Sequence, residues 1–205
     1  MRLEELERAV LAHGGEFQCV QIRDEGNKKL VPFRHVVTPA VAATELPDVG
    51  KLREFYATFG SILFYCDEQS GDAARYLAPV SEWPELHDSF MDWMEPVMDE
   101  PDEELLPRWV NTCLVIGETP RSGNYILMPT QGPAAGQVWE FDHDGYEFNC
   151  AGNDLVDYVE RIMAPTGSRL TDFASSMRFI TGDPMVQWWI EELLDNRGGA
   201  VSTKA

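Results

Sequence analysis

Asp142-His143-Asp144 sets an imidazole between two carboxylates, the residue types of a metal site or a general base. In a strand, neighbouring side chains point to opposite faces, so Asp142 and Asp144 converge while His143 turns away. The three do not make one compact site, and with Gly145 next the acids read as turn formers. His13, His35 and His87 have no local pairing of acid and nucleophile, so each is expected at the surface or at a helix cap. The chain carries no Gly-x-Ser-x-Gly, no phosphate loop and no dinucleotide fingerprint. Gly132-Pro133-Ala134-Ala135-Gly136 lacks the Lys and following helix of a phosphate cradle; it and Gly123-Asn124-Tyr125 read as the two ends of one hairpin strand. Cys19, Cys66, Cys113 and Cys150 lie far apart with no C-x-x-C, which predicts reduced, buried thiols rather than zinc ligands. The expectation is no catalytic residue, no metal and no cofactor.

The acids carry more information as a population. Residues 61–160 hold twenty-one acids and three bases, whereas residues 1–60 hold nine and eight and residues 161–205 five of each. The middle segment therefore accounts for −18 of the net −19. Such a surface repels nucleic acid and anionic membranes and attracts a cationic protein. Asp88, Asp92, Glu95, Asp99, Glu100, Glu103, Asp142 and Asp144 are the acids expected to meet that partner, with Trp93 and Trp139 as aromatic anchors. The other tryptophans are expected in the core.

The elements that must position these residues follow from periodicity. Leu3, Leu6, Val10 and Leu11 mark an opening helix ending near Gly14-Gly15, and Glu16 to Ile22 a strand with a turn at Asp24-Glu25-Gly26-Asn27. Leu52, Phe55, Tyr56 and Phe59 line a helix expected to stop on a left-handed Gly60, followed by a strand from Ile62 to Cys66. After a short strand from Arg75 to Val80, Ser81 is the expected N-cap of a helix through Phe90, Trp93 and Met94 to Pro96. Cys113 to Ile116, Tyr125 to Met128 and Val138 to Phe141 read as a meander, closed by a hairpin turn on Gly145 into Tyr146-Glu147-Phe148. Asn153 is expected to cap a helix carrying Leu155, Val156, Val159 and Ile162. Beyond Pro165 the reading is an appendage: short strands at Leu170 to Phe173 and Met177 to Ile180, then a helix from Asp183-Pro184 through Trp188, Trp189 and Leu194. A frayed tail is expected over 197–205.

These motifs, in this order, resemble the SMI1/KNR4 (SUKH) superfamily. The matching features are Leu52-Arg53-Glu54-Phe55-Tyr56-Ala57-Thr58-Phe59-Gly60, the Trp83-Pro84 helix, Ile116-Gly117 leading to Gly123-Asn124-Tyr125-Ile126-Leu127, Gly136-Gln137-Val138-Trp139-Glu140-Phe141-Asp142-His143-Asp144-Gly145, and Asp154-Leu155-Val156-Asp157-Tyr158-Val159. The resemblance covers residues 46–163 and is sharpest in the hairpin. It implies an α+β domain whose central antiparallel sheet is packed by helices, with no catalytic residues. In bacterial members it also implies an immunity protein that binds and neutralises a polymorphic toxin. The expected organisation is a single domain over 1–196 with a C-terminal helix, acting as a monomer or weak homodimer on a basic toxin such as a nuclease. A non-enzymatic regulatory scaffold of the same fold is the alternative. With no apolar run near the ~20 residues that span a bilayer, and with Glu4 and Glu5 where a signal peptide carries bases, the expected location is the cytoplasm.

Overall fold

A computed structural model describes residues 2–40, 46–98, 106–177, 179 and 186–204. Helix α1 (Leu3–Ala12) buries Leu6 and Val10, one turn apart, and leads into strands β1 (Gly14–Gln21) and β2 (Asp24–Pro39). The turn between them falls at Ile22-Arg23 rather than at Asp24 to Asn27, which extend β2. Helix α2 (Leu52–Tyr56) is followed by β3 (Phe59–Cys66) and β4 (Arg75–Leu77). Gly60 is a strand residue there, not a helix stop. A Cβ at Gly60 would run into the Pro39 carbonyl oxygen, so the close approach of β2 is what requires glycine. Ser81 lies inside a 3-10 turn (Val80–Glu82) that feeds α3 (Trp83–Met98), and it caps nothing.

The meander follows as β5 (Leu114–Thr119), β6 (Asn124–Met128), β7 (Val138–Asp142) and β8 (Glu147–Gly152). In the β7–β8 turn the left-handed residue is Tyr146 (φ 51°), not Gly145. Helix α4 (Leu155–Ile162) is capped by Asp154, whose carboxylate accepts the Asp157 N–H at 2.9 Å; Asn153 instead donates to the Asp157 carboxylate.

The C-terminal third departs most from the sequence reading. Residues Gly167–Ser176 form a helix, α5, capped by Thr166, where a strand was expected. From Val186 on, the expected helix is instead strand β9 (Trp188–Asp195), and the expected frayed tail holds β10 (Ala200–Ser202). The expected Met177–Ile180 strand and Asp183-Pro184 helix start fall largely outside the described residues. The misleading signal has a physical origin. Pairing of β9 with β1 slips between Gln18 and Cys19, leaving Glu191 as an extra, bulged residue. Trp188, Ile190 and Leu193 therefore all face the core at spacings of two and three, a pattern that strict alternation does not produce.

Among the described residues ten strands form one antiparallel sheet in the order β10-β9-β1-β2-β3-β4-β5-β6-β7-β8, an α+β fold with a central sheet packed by helices. The segment beyond Pro165 is part of the sheet, not an appendage. A large core lies under α1, α2, α4 and α5, and alternation along β5–β7 sends Val115, Leu127 and Phe141 to a second core under α3 with Phe90 and Met94. Cys19, Cys66 and Cys113 are buried as expected, but Cys150, on the open edge of β8, is exposed.

Candidate functional site

Helix α3 is built from two stripes. Trp83, Leu86, Phe90 and Met94 recur every three or four residues and pack inward, while Glu85, Asp88, Asp92 and Glu95 recur at the same spacing along the exposed side. Among the described residues no Lys or Arg forms an ion pair with any of those four acids; His87 lies 3.9 Å from Asp88. Like charges three and four apart each cost a helix roughly 0.2–0.5 kcal/mol. Glu95 also occupies the last turn, where the helix dipole disfavours an anion, and no base offsets it there.

The far end of α3 is tied to two hairpin turns through Trp93, which is 39% exposed. Its ring lies 4.7 Å from that of His143 in the β7–β8 turn and rests on Gly123 in the β5–β6 turn. Gly123 has φ +82°, and a Cβ there would stand 2.9 Å from Trp93 Cζ2. The Asn124 side-chain oxygen accepts both the His143 backbone N–H at 3.1 Å and His143 Nδ1 at 2.7 Å, so the ring hydrogen at Nδ1 is assigned. His143 Nε2 then faces Asp144 at 3.1 Å, with the Asp144 side chain 87% exposed. The expectation that His143 points away from Asp144 fails because the segment is a turn, where strand alternation does not apply.

The structure thus exposes Asp88, Asp92 and Glu95 along α3, and Trp93 of that helix meets the β7–β8 turn that carries Asp144. Asp142 is separate: it is half-buried, accepts the Asp144 N–H at 3.1 Å and lines a cleft beside α5. Trp139 is not an exposed anchor. It is half-buried against Trp109, ring centroids 5.3 Å apart, on the second core. Asp99, Glu100 and Glu103 lie outside the described residues.

The cleft is what the sequence reading missed. Two adjoining cavities of about 530 and 500 Å³ share Asn124, Asp142 and Asp172. At the floor, Arg75 is almost fully buried and pairs with Glu140 (Nε to Oε1, 3.2 Å) and with Asp172 of α5. Arg169 of α5 also pairs with Glu140, which accepts the Tyr158 hydroxyl at 3.1 Å. Burial pushes the Glu140 carboxyl up, but Arg75 and Arg169 together outweigh it and hold it well below the usual carboxylate range. A carboxylate so occupied has no proton to give and little basicity to take one, so the network positions α5 on the sheet rather than supplying acid–base chemistry. Arg75 inside the run Ala73-Ala74-Arg75-Tyr76-Leu77-Ala78, and Glu140 in register with inward Val138, were the available signals.

No family model, no curated protein and no solved structure matches this chain. Among the described residues no group of three or more His, Cys, Asp or Glu side chains is placed to hold a metal ion, and no helix is long and apolar enough to cross a membrane.

Proposed function

We propose that this chain is a binding protein of the immunity type, which captures a basic toxin on the acidic surface formed by α3 and the β7–β8 turn. The observation that carries the reading is the stripe of Glu85, Asp88, Asp92 and Glu95, which among the described residues pairs with no Lys or Arg. Its charges repel one another, and Glu95 opposes the helix dipole that favours Glu85 in the first turn, so the repulsion lowers the stability of the free protein and gains a favourable role when a cationic surface meets it. Charge of one sign steers encounter and raises association rates by roughly 10–10³-fold. Trp93, fixed by His143 and Gly123 yet partly exposed, supplies the desolvated centre that slows release. The resemblance in residues 46–163 supports the same class of partner.

The test is co-expression with the product of the neighbouring gene. Growth rescue, and an affinity that falls steeply with salt, are expected from the wild type. The triple variant Asp88→Gln, Asp92→Gln, Glu95→Gln is expected to lose both while keeping or slightly gaining stability. Rescue, affinity and salt dependence all unchanged in the variant would overturn the proposal.

A further inference from the structure

Two buried histidines lie end to end beneath the C-terminal hairpin: His13 is the C-cap of α1, as expected, whereas His35 is inside β2 and neither at the surface nor at a cap. Both rings are buried, His13 against Phe33 and Tyr65 and His35 against Phe33, Phe64 and Tyr65. Pairing of β2 with β3 slips opposite His35, and Tyr65 there adopts φ +54°. The Tyr65 amide, turned out of the ladder, donates to His35 Nδ1 at 3.0 Å. That bond makes Nδ1 an acceptor, so the His35 hydrogen is on Nε2. His35 Nε2 lies 2.8 Å from His13 Nδ1, which must accept, leaving the His13 hydrogen on Nε2 to face Asp195 Oδ2 at 3.4 Å. Every link has one donor and one acceptor. A further proton on either ring sets two N–H groups against each other, or an N–H against the Tyr65 amide.

The far end of this chain organises the β9–β10 turn. Asp195 Oδ1 accepts the N–H groups of Arg197 at 3.0 Å and Gly199 at 2.6 Å. Asn196 donates its backbone N–H to Gly14 O at 2.9 Å and its side-chain amide to Ala12 O at 2.7 Å, while Arg197 reaches Ala9 O at 3.3 Å. The turn therefore caps the C-terminus of α1.

We propose that the His13–His35 pair is an acid-operated latch: proton uptake there lifts the β9–β10 turn from the end of α1 and opens the C-terminal hairpin, while β5–β8 stays folded. The charged and titratable groups facing the pair are Asp195 and Arg197 from the hairpin and Tyr65 from β3. Burial lowers the basicity of both rings; Arg197 adds to this at His13 against the pull of Asp195, and His35, with His13 and Arg197 adding, is pushed down to about 3. Both shifts are downward from 6.5, so the latch is fully held above that pH and weakens as pH falls below it. Opening is expected to rise about tenfold per pH unit for each proton taken up.

Hydrogen exchange on the full chain between pH 7.5 and 5, corrected for intrinsic rates, tests this. Residues 188–204 are expected to lose protection about tenfold per unit below pH 6.5 for each ring that takes up a proton, up to about a hundredfold for the pair, while 114–152 keep theirs. His13→Gln, which can still accept from His35 and donate to Asp195, is expected to flatten that slope. Unchanged protection of 188–204 at pH 5, or equal loss across 114–152, overturns the latch. Imidazole 15N shifts of the wild type give an arm that needs no variant: both rings are expected as Nε2–H tautomers at pH 7.5, and an Nδ1–H tautomer on either refutes the assignment.

Discussion

Replacing Glu140 by Gln tests whether the charged cleft is scaffold or chemistry. The substitution keeps the shape and an acceptor for Tyr158 but removes the anion between Arg75 and Arg169. Removing one partner of a buried pair typically costs about 3–5 kcal/mol. Arg75 retains Asp172 and the Ala74 carbonyl at 2.7 Å, which places the expected loss near the lower end, about 3 kcal/mol. That is a large share of the roughly 5–15 kcal/mol that holds a domain folded. Urea denaturation at pH 7 should show it, and Arg75→Met combined with Glu140→Gln should lose less than the sum of the single variants. Because the folded Glu140 carboxyl lies below its ordinary 4.5, its contribution is complete above that pH and fades as pH falls below it. The wild type should therefore lose stability more steeply than the variant there, by up to about 1.4 kcal/mol per pH unit. A loss under about 1 kcal/mol, well short of a broken buried pair, with parallel acid profiles, would refute the structural role and return Glu140 to consideration as a reactive group.

Gly123→Ala is expected to displace Trp93, changing its fluorescence and weakening partner binding at least tenfold, since the methyl meets the indole and the backbone has φ +82°. Maleimide labelling of the native chain should modify Cys150 rapidly and spare Cys19 and Cys113, whose thiols burial pushes up to about 12. Truncation before Trp188 should lower the urea midpoint far more than trimming a tail would while leaving β5–β8 folded, because Trp188, Ile190 and Leu193 belong to the main core and β9 pairs along the length of β1.

The elements with one dominant period were legible in the sequence. The amphipathic spacing of α1, α3 and α4 and the alternating meander of β5–β7 each follow from side chains that lie within one local repeat. Asp88, Asp92 and Glu95 were named from the charge of their segment, but the structure is what set them with Glu85 along one exposed helix face. Trp139 was misjudged because its exposure depends on Trp109, thirty residues away in sequence and packed against it only by the fold. The bulges at Glu191 and opposite His35 broke alternation, and with it the only local signal for β9 and for the buried histidines.

By itself, then, the sequence determined the class of fold, the segregation of acid into the middle of the chain and the helix that displays it, since these depend on composition and short-range periodicity. Only the tertiary structure decided what lies beside what. It set Trp93 on His143 and Gly123, closed Arg75, Glu140, Arg169 and Asp172 into one network, and joined His13 to His35 and Asp195 across 182 residues. Pairings over such separations arise from strand register and packing, which no local pattern of residues encodes.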